Sequence, residues 1–275
     1  MSETEEPSKV SGIKITLAVI PALLIVSIII ALYLGANEEQ EKQKPREGDV
    51  TIPELADFLE KLNHRIVERS FGSDEGVRGL KQTWSMIQGT LEPPNLGYEV
   101  FKKVEDTAAG KLWPTLWVNV GAAEPKGINV IAVPYGVSGT PVAFSLGLAE
   151  YYTMQKSRKG IRIAFYPPLL EGDPKSWIWE RIGKEEESLE SLLILEGGGS
   201  PLNWADIKAT EKSADILDQL VSKKGWAGNF KIADERAGEI HVALGEQGKS
   251  QIVNHAERLI RMMSVMKALL EQTGK

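Results

Sequence analysis

The stretch Ile128–Leu170, INVIAVPYGVSGTPVAFSLGLAEYYTMQKSRKGIRIAFYPPLL, decides the fold. The apolar run Ile128–Val133 ends in the turn-forming sequence Pro134-Tyr-Gly-Val-Ser-Gly-Thr-Pro141, and a helical pattern follows over about Val142–Gln155. A basic loop leads to a second apolar run, Ile161–Tyr166. Two apolar strands joined by a crossover helix predict a parallel pair within an open sheet. Ligands of open α/β sheets bind beyond the carboxyl ends of the strands, so any chemistry is expected in Val133–Thr140 and Pro167–Asp173.

Working outward toward the N-terminus, residues 1–14 form a short polar tail, and Ile15–Asn37 contains no charged residue. About 20 apolar residues suffice to cross a bilayer as a helix, which predicts a transmembrane helix over residues 15–36. The run exceeds the core of a secretory signal and lacks a good cleavage site, so an uncleaved signal-anchor is expected. Lys9 and Lys14 precede it and Lys42, Lys44 and Arg46 follow, a nearly balanced distribution. With its short N-terminal tail, the span is read as placing the folded domain outside the cytoplasm. Residues 37–51 carry a charged linker with no apolar residue from Glu38 to Asp49, too polar to build a core. The folded domain is expected over residues 52–275.

Within that domain, Leu55, Phe58, Leu59, Leu62, Ile66 and Val67 recur at helical spacing behind Pro53, with His64 off the stripe and read as exposed or at an edge. A second helix is predicted over Glu75–Leu91, then strands over Tyr98–Val104 and Thr115–Val120. Beyond the central unit, Pro174–Arg181 reads as helix, Lys184–Glu190 as a solvated charged run, Ser191–Glu196 as a strand and Ile207–Lys223 as a helix. Phe230–Ala233 and Ile240–Leu244 read as short strands, and Gln251–Gln272 as an amphipathic helix with methionines in its core stripe. The expected architecture is a three-layer αβα domain with a mixed, largely parallel central sheet, preceded by one transmembrane helix.

Composition removes several function classes. The net charge is −6, which argues against a nucleic-acid partner. The absence of cysteine excludes disulfides, thiolate metal sites and a cysteine nucleophile. Only His64, His241 and His255 are available as imidazoles. Val137-Ser138-Gly139 lacks the G-x-S-x-G elbow of a serine hydrolase. Gly197-Gly198-Gly199-Ser200 lacks the lysine of a phosphate loop and reads as a strand-end turn.

The order of elements resembles the di-zinc aminopeptidase superfamily, which includes secreted aminopeptidases, glutaminyl cyclases and the transferrin-receptor ectodomain. The resemblance spans about Pro53–Lys275 and rests on several motifs in sequence: Arg69-x-x-Gly72-Ser73 between two helices, Val118-Asn119-Val120 in a strand, and the central unit. In that unit Val142-Ala143, Leu146 and Leu148-Ala149 match the crossover helix, and Ile161-Arg162-Ile163-Ala164-Phe165-Tyr166 matches the next strand.

The metal ligands that the resemblance implies are mostly missing. Pro134 stands where the family has its first histidine, and Gly136 replaces the aspartate of the same A-H-Y-D motif. Val137–Pro141 holds no acid in place of the bridging aspartate. The family's glutamate pair falls near Leu169-Leu170, with Glu171 adjacent. Glu196 matches a later carboxylate, and His241 lies in the region of the last histidine. Glu171, Glu196 and His241 are thus the candidate metal ligands, and Glu171 and Glu196 the candidate catalytic acids.

The resemblance therefore implies a membrane-anchored, catalytically inactive aminopeptidase-like domain with no cofactor, acting as a binding or scaffolding module for a protein partner in a membrane complex. Non-catalytic anchored relatives, such as the transferrin-receptor ectodomain and nicastrin-like proteins, share that plan. The alternative is a zinc-dependent peptidase or hydrolase with an altered or single-metal site. A third reading puts other chemistry in the same cleft, carried by Tyr135, Ser138, Thr140, Glu171 and Glu196.

Overall fold

The computed structural model describes residues 50–106, 112–120, 127–154, 160–168, 178–180, 182–184, 187–197, 207–209, 231–232, 239–244 and 249–272. The N-terminal tail, the predicted span and residues 37–49 of the linker lie outside the described residues. Among those described, no helix is long and apolar enough to cross a membrane.

The fold begins at Val50, which is buried in the core, and Thr51, which caps helix α1 (Ile52–Glu60). Thr51 accepts from the Glu54 amide while the Glu54 carboxylate accepts from the Thr51 N–H, a reciprocal capping box. These two residues, read as the end of the linker, are thus part of the folded body. The chain continues into a π-helical turn, Lys61–Arg65, rather than a single α-helix through Val67. Arg69 then folds back, and its guanidinium donates to the carbonyls of Leu62 and Ile66, satisfying acceptors left open at a helix end. Ser73 caps α2 (Asp74–Leu91) by accepting from the Gly76 amide at 2.9 Å. The Arg69–Ser73 motif is thus a helix-to-helix connector, with Arg69 closing one end and Ser73 opening the next.

Among the described residues eight strands follow: β1 (Phe101–Asp106), β2 (Leu112–Asn119), β3 (Gly127–Pro134), β4 (Gly160–Tyr166), β5 (Ser188–Gly197), β6 (Ile207–Ala209), β7 (Lys231–Ile232) and β8 (Glu239–Leu244). They form one sheet in the order β1-β2-β4-β3-β5-β8-β6-β7. The centre, β4-β3-β5-β8, is parallel, while β1, β2 and β6 make antiparallel pairings. Helix α3 (Gly139–Met154) is the crossover from β3 to β4. It is buried from Thr140 to Glu150, as expected for a helix apolar on every side.

Strand alternation divides the core in two. Ile131, Val133, Ile163, Phe165, Leu193 and Leu195 face the helix layer of α1, α2, α3 and α4 (Ile252–Gln272). Val130, Ala132, Ala164, Tyr166, Leu192 and Ile194 face the other side, where Ile178 and Ile182 pack. Met262, Met263 and Met266 of α4 are core residues, as their spacing predicts.

Two further expectations change. Residues 188–190 of the charged run extend β5, and Glu187 just before it is drawn into a buried ion pair. Ile207–Ala209 is a strand, not the start of a helix, because it pairs antiparallel with β8. His64 takes an edge position, half-buried with its Nε2 shielded from solvent.

Candidate functional site at the carboxyl edge of the sheet

The carboxyl ends of β3, β4 and β5 bring Pro134, Tyr166 and Glu196 to one edge, with Pro134 paired to Tyr166. The turn from Pro134 to Thr140 is then closed residue by residue. Tyr135 is fully buried; its amide donates to the Tyr166 carbonyl at 3.0 Å and its hydroxyl to the Pro114 carbonyl at 2.8 Å. Burial pushes that hydroxyl well above the usual tyrosine range, so it stays a neutral donor. Gly136 lies against Pro168 so closely that a Cβ would sit 1.9 Å from the proline Cγ. An aspartate side chain in the position of Gly136 would therefore collide with the Pro168 ring.

Ser138 and Thr140 are equally committed. Both are fully buried. Ser138 Oγ accepts from the Thr140 amide at 3.1 Å, capping the start of α3. Thr140 Oγ1 accepts from Asn63 Nδ2 at 3.1 Å, which ties the π-helical turn to the same helix start. Ser138 also packs on the end of β5, where a Cβ on Gly197 would fall 2.1 Å from the Ser138 Cβ. The hydroxyls of Tyr135, Ser138 and Thr140 thus hold the turn together.

Of the three candidate metal ligands, Glu196 is exposed at the end of β5. It stands close enough to Tyr166 that its charge adds to burial in raising the Tyr166 hydroxyl. His241 is in β8 opposite Ile194, whereas Glu196 is opposite Ala243. Their backbones therefore sit on neighbouring strands, two residues apart in register, about 8 Å by ordinary sheet spacing. Glu171 lies outside the described residues. Among the described residues, no group of three or more acids and histidines is placed to hold a metal ion. The di-zinc centre that the resemblance implies would take ligands from the β3 turn, and there Pro134 offers no side-chain donor and the volume beside Gly136 is filled. The described residues at this edge do not fit a two-metal site.

The polar centre that sequence reading missed lies farther down β4. Arg162, 1% exposed, donates from both terminal nitrogens to the Glu187 carboxylate, at 2.8 and 2.9 Å. Its Nε reaches Asn119 Oδ1 at 2.8 Å, and Nη1 also donates to the Ile182 carbonyl. Burial alone would raise the Glu187 carboxyl, but hydrogen bonding to Arg162 and its charge outweigh it and hold the group below the usual carboxylate range. The signal was present in Arg162 itself, a lone cation inside the apolar strand IRIAFY. A bidentate pair with all three guanidinium nitrogens engaged is a structural clamp between β4, β2 and the chain before β5.

No family model and no curated protein matches the chain. Solved structures do. A Zn-dependent exopeptidase from Parabacteroides distasonis aligns with TM-score 0.57 at 13% identity, covering 82% of this chain and 99% of that one. A leucine aminopeptidase precursor from Bacteroides thetaiotaomicron aligns with TM-score 0.55 at 12% identity, covering 82% and 98%. The glutaminyl cyclase of Porphyromonas gingivalis aligns with TM-score 0.54 at 14% identity, covering 81% and 98%. With nearly the whole of each of these proteins matched, the chain carries the fold seen in these zinc-dependent exopeptidase and glutaminyl cyclase structures.

Proposed function

We propose that this protein is a single-pass, membrane-anchored, non-catalytic member of the aminopeptidase-like group, serving as a binding or scaffolding module for a protein partner. Residues 15–36 supply the anchor, and the domain lies outside the cytoplasm. The observation that supports the reading is the closed turn at the carboxyl edge. Pro168 fills the space over Gly136, and Ser138 is seated on Gly197. Tyr135, Ser138 and Thr140 are all engaged by the backbone or by Asn63. A metallopeptidase of the type that the motif order resembles would take metal ligands from this turn and keep a coordination position open.

The experiment is metal analysis of the purified full chain alongside aminopeptidase and glutaminyl-cyclase assays. The expected result is no stoichiometric zinc and no turnover. Stoichiometric zinc with peptidase activity that Glu196→Ala abolishes would overturn the proposal. The neighbouring strands of Glu196 and His241 support a second reading, a hydrolase with one zinc ion. One zinc per chain, lost in both Glu196→Ala and His241→Ala, would establish it.

A further inference from the structure

Strand β1 ends the sheet order, and among the described residues only β2 pairs with it. Its sequence is Phe101-Lys-Lys-Val-Glu-Asp106. Lys102, Lys103 and Val104 are exposed, with Val104 at 48%. An edge strand offers unpaired backbone groups to another chain, and edge charges ordinarily discourage such pairing when like charges meet. Here the charges are ordered so that a second copy meets opposite ones.

We infer that β1 is a self-complementary edge that pairs antiparallel with β1 of a second copy of this chain, about a two-fold axis through Val104. Two constraints select this register. In regular antiparallel pairing, residues whose N–H and C=O point outward face one another, so a symmetric axis passes through a residue and not between two. Charge then decides which residue. An axis through Lys103 sets lysine opposite lysine, and one through Glu105 sets acid opposite acid. The axis through Val104 sets Val104 against Val104, Lys103 against Glu105 and Lys102 against Asp106, each ionic pair occurring twice. Directly opposed unlike charges stabilise a strand pair and like charges destabilise it. The exposed Val104 side chains are covered by each other at the centre. The carboxyl edge is not involved, so the pairing is independent of whether the domain is catalytic.

The chain has no cysteine, so one introduced thiol reports the register without interference. Directly opposed strand residues have Cα atoms about 4.5 to 5.5 Å apart, within disulfide range. The full chain carrying Val104→Cys is oxidised and run on a non-reducing gel, with Leu112→Cys, exposed on β2, as the control. The expected result is a covalent dimer for Val104→Cys well above the control. Adding Lys102→Glu and Lys103→Glu to Val104→Cys should lower the dimer about tenfold, as should adding Glu105→Lys and Asp106→Lys. Mixing those two inverted chains should restore it, because each then meets its complement, and this recovery also shows that both fold. A Val104→Cys dimer no stronger than the control, or one indifferent to charge inversion, would overturn the inference.

Discussion

Gly136 and Gly197 close the carboxyl edge by what they lack. Each sits where a Cβ would overlap a neighbour, Pro168 in one case and Ser138 in the other. A proline ring cannot swing aside, so Gly136→Ala is expected to lower stability by about 1–3 kcal/mol, read from urea unfolding. Gly197→Ala should behave similarly, and adding Ser138→Gly should recover part of the loss by removing the opposing Cβ. Glu187 is the residue that couples the fold to pH. Its folded carboxyl titrates below its ordinary value of 4.5, held there by Arg162. Its contribution is therefore complete above that ordinary value and is lost as pH falls through the folded value, where the unfolded chain binds the proton first. Glu187→Ala leaves the buried Arg162 unpaired and should cost about 3–5 kcal/mol at neutral pH. The same variant should flatten the acid limb of a stability–pH curve; an unchanged limb would show that Glu187 does not set it.

At the scale of elements, α2 begins and α1 ends around one connector. Ser73 caps α2 through the Gly76 amide, and Arg69 serves the carbonyls at the end of the π-helical turn. Ser73→Ala is expected to lower the urea midpoint by an amount equivalent to about 1 kcal/mol with an unchanged slope. A changed slope would mean that the connector shapes more than one helix end. Strand β5 shows how pairing overrides charge. Ser188-Leu189-Glu190 looks solvated by composition, yet Gly127 and Ile128 of β3 pair with Ser188 and Leu189 and draw the segment into the sheet. Glu190 stays at the rim, where its carboxylate accepts from Asn129 Nδ2 at 3.3 Å.

For the whole molecule, the proposed anchor would give the apolar residues a second task beside the core. Among the described residues the core runs from Val50 to Leu270, with buried apolar side chains on both faces of one sheet. The 23 uncharged residues Ile15–Asn37 take no part in the amphipathic patterns of that domain. The full chain is therefore expected to sediment with membranes and to resist alkaline extraction, while a chain beginning at Pro45 should move to the soluble fraction with the same cooperative unfolding. Full-length protein extracted by alkali would remove residues 15–36 as an anchor.

Much of the fold was legible because period and punctuation carry it. The β3–α3–β4 unit, the Arg69–Ser73 connector and the methionine stripe of α4 follow from local patterns that packing reinforces. Pro134, Gly136 and the acid-free Val137–Pro141 stand, by the resemblance, where that family has its first ligands. What filled the vacated space was not legible, since Pro168 reaches Gly136 and Gly197 reaches Ser138 only after distant segments are brought together. The same holds for Arg162 and Glu187, 25 residues apart, where a charge that reads as solvated becomes a buried partner. Sequence by itself determined the layers and the loss of ligands, because both rest on residue type and spacing. Tertiary structure alone decided that the turn is sealed, because sealing depends on which side chain occupies a volume that no local pattern records.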